Sequence, residues 1–223
     1  MITNVSFDLW LTLIKSHPEF KHRRAEMIAD TYNSKGLSVP HIEALVRNID
    51  KIFDRYNEYY GEKIPASSMY QRVLNETCND PEEVSLEEAQ HFEQRANELF
   101  VEYSPRLLND DIPSILEGLQ AEGKVLNLAS NTGFIEGKTL RIVLEKLGIL
   151  KHFLFNIFSD EVKASKPSAR FFQRVYDEVS VPKKNILHVG DNEKTDYQGA
   201  LNFGFSALLI KPDYTLNDIR AAL

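Results

Sequence analysis

Several absences narrow the reading of this 223-residue chain. There is one cysteine, Cys78, so neither an intrachain disulfide nor a cysteine-rich metal site can form. No segment approaches the ~18 uninterrupted apolar residues of a membrane-spanning helix, which excludes a membrane partner of that kind. Basic charge is in deficit, with 26 Lys and Arg against 33 Asp and Glu and a formal net charge of -7. That leaves no basic stripe for a nucleic-acid backbone, and nucleic acid is not an expected partner. A small anionic ligand stays open, because its binding depends on local field rather than net charge. The start of the chain has no basic flank or small-residue cleavage pattern, so no signal peptide is expected. Internal repeats and low-complexity segments are also missing. The expectation is a soluble, cytoplasmic protein, monomer or homodimer, whose 43% hydrophobic residues suffice for a sizeable core.

What is present is organised around the first fourteen residues. Residues 2–14 read ITNVSFDLWLTLI, an apolar β-branched run that ends in one carboxylate, Asp8, and continues to a hydroxyl, Thr12. Such a run suits a buried strand with Asp8 at its C-terminal end, where open parallel α/β sheets bind ligands. A carboxylate there needs a cation, hydrogen-bond donors or a metal.

Residues 15 to about 105 then carry helical patterning and no strand. Helices are expected over Pro18–Asn33, from Pro40 through Phe53, over Ser67–Asn75, and from a capping box at Ser85 and Glu88 to Tyr103. From Asp111 the pattern alternates. Strands are expected at Lys124–Ser130, Phe153–Phe158, Asn185–Gly190 and Phe205–Ile210, with helices at Ile112–Ala121, Ile135–Leu147, Ser168–Val179 and Thr195–Asn202. Alternation of this length implies a doubly wound, Rossmann-like parallel sheet with helices on both faces. The expected division is an α/β core at 1–15 and 105–223, with an all-helical insertion at 16–104.

Four clusters fall at the ends of the expected strands: Asp8 with Thr12; Ser130-Asn131-Thr132; Lys166-Pro167; and Gly190-Asp191-Asn192 with Asp196. In order and spacing this set resembles the four motifs of the haloacid dehalogenase-like hydrolase superfamily, and the insertion after the first motif resembles its helical cap. The resemblance implies Asp8 as a nucleophile that forms an aspartyl-phosphate, and Lys166 as the cation that neutralises charge between Asp8 and phosphate. It implies Ser130, Asn131 and Thr12 as phosphate contacts. It also implies Mg²⁺ held by Asp8, the backbone carbonyl of Trp10 and Asp191, supported by Asp196 and Asn192.

One departure bears on the chemistry. Phosphatases of the superfamily usually carry a second aspartate two residues after the nucleophile, as general acid and base; here that residue is Trp10, whose indole can do neither. Leu11 also replaces a common glycine. Three readings follow, in this order: a Mg²⁺-dependent phosphatase of a small phosphorylated metabolite; a dehalogenase, whose relatives carry an aromatic at the Trp10 position; and a phospho-ligand-binding module without turnover. The polar run His17, Glu19, His22, Arg23 and Arg24 is read as a solvated helix face, and the aromatic series Phe53, Tyr56, Tyr59 and Tyr60 as packing. His188, inside an apolar strand, is read as a core histidine with a hydrogen-bond partner.

Overall fold

The computed structural model describes all 223 residues. Its centre is a five-stranded parallel sheet made of β1 (Asn4–Phe7), β4 (Val125–Ser130), β5 (Phe155–Phe158), β6 (Ile186–Gly190) and β7 (Ser206–Leu209), in the order β5-β4-β1-β6-β7. The register sets Phe7 beside Leu128 on one side and Val189 on the other. β1 and β6 are buried along their whole length, as expected of a parallel sheet covered on both faces.

On one face Val5, Phe7, Leu126, Leu128 and Leu187 pack against α5 (Ile112–Ala121) and α6 (Gly137–Lys146) through Ile115, Leu119, Leu140 and Leu144. On the other, Ala129, Ile157 and Ile186 pack against α8 (Ala169–Asp177) and α9 (Gly199–Phe203) through Phe171, Phe172 and Ala200. The short α7 (Ser159–Val162) follows β5. The chain leaves β1, builds β4 and β5 on one side, then crosses back to place β6 and β7 on the other. That reversal beside β1 is the switch point at which α/β sheets bind ligands. The doubly wound fold expected from the alternation is the fold observed.

Between β1 and α5 lie four helices: α1 (Phe20–Thr31), α2 (Val39–Tyr60), α3 (Ala66–Thr77) and α4 (Leu86–Glu102). They have their own apolar centre, with Ile28, Ile42, Val46, Tyr70, Val73 and Phe92 in one buried cluster. Phe134, from the loop after β4, inserts into that cluster and ties the helical unit to the sheet. The expected capping box at Ser85 and Glu88 starts α4.

Some elements differ from the expectation. Where the chain enters and leaves the helical unit, β2 (Ile14–Lys15) and β3 (Arg106–Leu107) form a two-residue antiparallel clasp, too short to leave an alternation signal. Residues Leu150–His152 form a 3₁₀ turn, so the third long strand begins at Phe155 rather than Phe153. The helix expected from Thr195 starts earlier, as a π-helix over Glu193–Gln198, and tightens into α9. A last helix, α10 (Leu216–Arg220), follows a Thr215–Asp218 capping box that was not expected. Beside it, the Tyr214 hydroxyl donates to the Thr12 carbonyl (3.1 Å) and braces the loop after β1.

Candidate active site

The charged groups of the site emerge from strand ends. Asp8 extends the β1 ladder through its N–H to the Val189 carbonyl (2.9 Å), so its carboxylate leaves the sheet at the C-terminal edge. Lys166, 1% exposed, bridges two carboxylates: Nζ donates to Asp8 Oδ1 at 2.7 Å and to Asp196 Oδ1 at 2.6 Å. Asn131 fixes the backbone of this lysine. Its side-chain amide donates to the Lys166 carbonyl (3.0 Å), and its Oδ1 accepts from the Lys166 N–H (2.8 Å).

Asp196 is held by the π-helix after β6, a form that recurs at functional sites. Its Oδ2 accepts from the Asn192 N–H at 3.0 Å. A Cβ on residue 190 would lie 2.4 Å from the Asp196 carboxyl, so Gly190 is what lets that side chain sit against β6. Asn192 caps the turn, its Oδ1 accepting from the N–H groups of Lys194 (2.9 Å) and Thr195 (3.1 Å). His188 bridges Ser6 (Nδ1 to Oγ, 3.1 Å) and Asp196 (Nε2 to Oδ1, 3.4 Å).

Three carboxylates, Asp8, Asp191 and Asp196, therefore face one ammonium. Burial pushes Asp8 above its usual range, and the attraction of Lys166 offsets this only in part. Burial, then repulsion from Asp8 and Asp196, pushes Asp191 up to about 6. Asp196 also loses solvation, but Lys166 and His188 overcome that and hold it below the carboxylate range. Burial alone would lower Lys166, yet Asp196 and Asp8 raise it, so it stays charged. Burial, as the largest influence, lowers His188 and keeps it neutral.

The carboxylate oxygens of Asp8, Asp191 and Asp196 can come within 4.8 Å of one another. Lys166 engages Asp8 Oδ1, and both Asp196 oxygens are engaged, whereas Asp8 Oδ2 and the Asp191 carboxylate accept no hydrogen bond from another residue. Hard oxygen donors with an excess of negative charge fit a divalent cation such as Mg²⁺.

These groups open into a cleft of about 450 Å³ between the sheet edge and the helical unit. Its far wall is aromatic: Trp10 lies edge-on to Phe100 (6.0 Å), which meets Phe20 (5.1 Å). Leu11 stands at the mouth, 54% exposed, with φ of +56°. The backbone N–H groups of Trp10, Asn131 and Gly133 line the same loops and donate to no protein acceptor.

The structure thus brings Asp8, Lys166, Asp191 and Asp196 together at one mouth. Thr12 and Ser130 do not line the cleft: both are fully buried, Thr12 Oγ1 without a partner and Ser130 Oγ on the Asn131 carbonyl (3.2 Å). The Asn131 and Asn192 side chains are spent on backbone groups. Tyr56, Tyr59 and Tyr60 stack on one another at the surface of α2, away from the cleft. His22 and Arg23 are solvated, but Arg24, read with them as a solvated face, is buried and lines the cleft. Its place was legible after all. Arg24 is four residues after Phe20 and four before Ile28, on the apolar stripe of α1.

The model of the haloacid dehalogenase-like hydrolases matches residues 2–204. Matches to curated relatives span 36% to 54% of those proteins' length. Among them, mouse N-acylneuraminate-9-phosphatase is 26% identical over 141 residues, covering 63% of this chain and 54% of that protein. Among solved structures, the HAD-hydrolase YfnB of Bacillus subtilis, bound to magnesium, superposes with a TM-score of 0.74 at 16% identity, covering 96% of this chain and 91% of that one. L-2-haloacid dehalogenase from Xanthobacter autotrophicus gives 0.62 at 20%, covering 94% and 78%. At such identities the structural likeness speaks for the fold, and the family model, spanning nearly the whole chain, for the membership: this chain belongs to the haloacid dehalogenase-like hydrolases.

Proposed function

We propose that the protein is a Mg²⁺-dependent phosphatase of small phosphorylated metabolites, with Asp8 as nucleophile and the helical unit as a cap over the cleft. One observation carries this reading. Asp8 presents one oxygen to Lys166 and leaves the other free beside the unpaired carboxylate of Asp191. A nucleophile so placed meets a phosphoryl group with cationic charge on both sides. Asp8, Asp191 and the Trp10 carbonyl would hold the ion, with Asp196 in support; the ion would supply neutralisation of phosphoryl charge.

The chain's own residues then do the following. Asp8 attacks phosphorus, the bond to the leaving oxygen breaks, and that oxygen departs with the electron pair. Lys166 holds the attacking carboxylate in place and offsets charge on the phosphoryl oxygens. The free N–H groups of Trp10, Asn131 and Gly133 offer donors to those oxygens as charge develops. Water then attacks phosphorus, the bond from phosphorus to the Asp8 oxygen breaks with its electron pair returning to the carboxylate, and the water's proton passes to the released phosphate or to solvent, since Trp10 cannot take it. Trp10 protonates nothing, so the leaving oxygen departs unassisted from this position. Good leaving groups are therefore favoured. That the mouse relative bears a phosphatase name supports the reading.

A dehalogenase is the second reading, favoured by the aromatic Trp10 and opposed by Asp191, a metal-type acid where the dehalogenases usually have serine. Both readings meet one test: hydrolysis of aryl, acyl and alkyl phosphates and of 2-chloropropionate, with Mg²⁺ or chelator, by wild type and Asp8→Asn. The expected result is phosphate release from aryl and acyl phosphates, lost with chelator and in Asp8→Asn. Alkyl phosphate should be slower by roughly 10²–10⁴-fold, the usual worth of general acid-base help. Metal-independent chloride release would overturn the phosphatase reading in favour of the dehalogenase.

A further inference from the structure

Arg24 is a buried cation of the cleft that makes no ion pair within the protein. It is 8% exposed, and its Nε has no hydrogen-bond partner. No carboxylate lies within the 4.0 Å of an ion pair. Its sequence neighbour behaves in the ordinary way: Arg23 is exposed and pairs with Glu19 (3.5 Å) and Glu26 (3.0 Å). A guanidinium cannot shed its proton to escape burial, so an unanswered one is costly. Asp50 lines the same cleft; burial raises it, and Arg24 is the largest of the charges that draw it back. It remains outside pairing distance.

The arginine is also held. Its guanidinium lies over Phe20 at 5.2 Å and over Phe134 at 5.0 Å from the ring centroids. Phe20 belongs to the helical unit and Phe134 to the loop after β4, so the clamp spans both halves of the molecule. Held over two rings, the planar guanidinium keeps its N–H donors for a carboxylate or phosphate, the groups its fork suits. The cleft it lines is the one into which Asp8, Lys166 and Asp191 open. They come from the sheet edge, whereas Arg24 comes from α1.

We propose that Arg24 binds an oxyanion on the leaving group of the substrate, so that the site takes phosphate monoesters bearing a carboxylate or a second phosphate beyond the ester oxygen. This rests on the phosphatase reading and narrows it to one substrate class. The aromatic wall of Trp10, Phe100 and Phe20 excludes water beside that contact and strengthens it.

Binding of non-hydrolysable analogues tests the assignment without turnover. The probes are 3-phosphonopropionate, propane-1,3-bisphosphonate and the uncharged-tail 3-hydroxypropylphosphonate, titrated calorimetrically with Mg²⁺ into wild type, Arg24→Met and Arg24→Lys. An anionic tail should tighten binding to wild type by on the order of ten- to hundredfold, the worth of a charge-assisted contact. Arg24→Met should abolish the preference, and Arg24→Lys should keep part of it. The tighter of the two anionic probes identifies carboxylate or phosphate as the group. Equal affinity for all three, binding of none, or a preference that survives Arg24→Met overturns the proposal. Turnover of an aryl phosphate by wild type reads the phosphatase question separately. Release without the tail preference sinks the Arg24 assignment alone, and preference without release sinks the phosphatase reading alone.

Discussion

The two walls of the cleft treat buried charge in opposite ways. On the sheet side, Lys166 is locked between Asp8 and Asp196, and its backbone is pinned by Asn131. On the helical side, Arg24 is also buried and has no ion-pair partner. A buried cation that completes a network belongs to the architecture of the site. A buried cation that lacks its anion is complete only with a ligand. On this account the sheet edge holds the reaction, and the helical unit selects what enters.

The sharpest way to break the comparison is to remove each cation and measure folding stability by urea titration in chelator. Lys166→Met strands two carboxylates in the interior and should cost about 3–5 kcal/mol at neutral pH. Arg24→Met breaks no ion pair and removes a desolvation penalty, against which it loses the ring contacts and the attraction to Asp50, so it should move stability by less than about 1 kcal/mol. Equal losses for the two would mean that Arg24 is paired within the fold, and the contrast between the walls would vanish.

A smaller effect tests how the walls are joined. Glu93 of α4 and Glu136 of the loop before α6 meet across the junction; burial first, then Glu136, pushes Glu93 up to about 7 from an ordinary 4.5. The folded state thus holds a proton that the unfolded chain releases. The stabilisation is fully present below pH 4.5 and is lost as pH rises through about 7. The urea midpoint should fall between pH 5 and pH 8, and Glu93→Gln should flatten that slope. A slope unchanged in Glu93→Gln would place its origin elsewhere.

The smallest effect concerns the loop between the walls. Leu11 adopts φ of +56°, a left-handed conformation that costs a side-chain-bearing residue roughly 1–2 kcal/mol and glycine almost nothing. Glycine loses more freedom on folding, so Leu11→Gly should raise stability by only about 0.5–1 kcal/mol. A lower thermal midpoint in Leu11→Gly would show that the exposed leucine makes contacts that outweigh its strain.

The sheet wall was legible because its signals are local. A carboxylate at the end of an apolar run, a lysine before proline, and two acids five apart after a strand all follow from chain order. The helical wall was less so. Arg24 stood in a run of polar residues whose composition reads as solvent-facing, and only its spacing from Phe20 and Ile28 marks the buried stripe. Asp50 reaches the cleft because α2 packs beside the loop carrying Gly133, a tertiary fact without a sequence pattern. Thr12 and Ser130 sit in the right motifs, but the loops turn their hydroxyls away from the cleft lining. The β2–β3 clasp is two residues long on each side, below the length at which alternation registers.

The central claim is that Asp8 carries the phosphoryl group, and trapping it is the most direct test. Wild type would be mixed with an aryl phosphate and Mg²⁺, quenched in acid within one turnover, digested, and the peptide containing Asp8 examined by mass spectrometry. The account predicts a phosphoryl adduct on Asp8 that is discharged by hydroxylamine and missing in chelator. Phosphate release at the full rate from a chain whose Asp8 is never modified, or from Asp8→Asn, would contradict it.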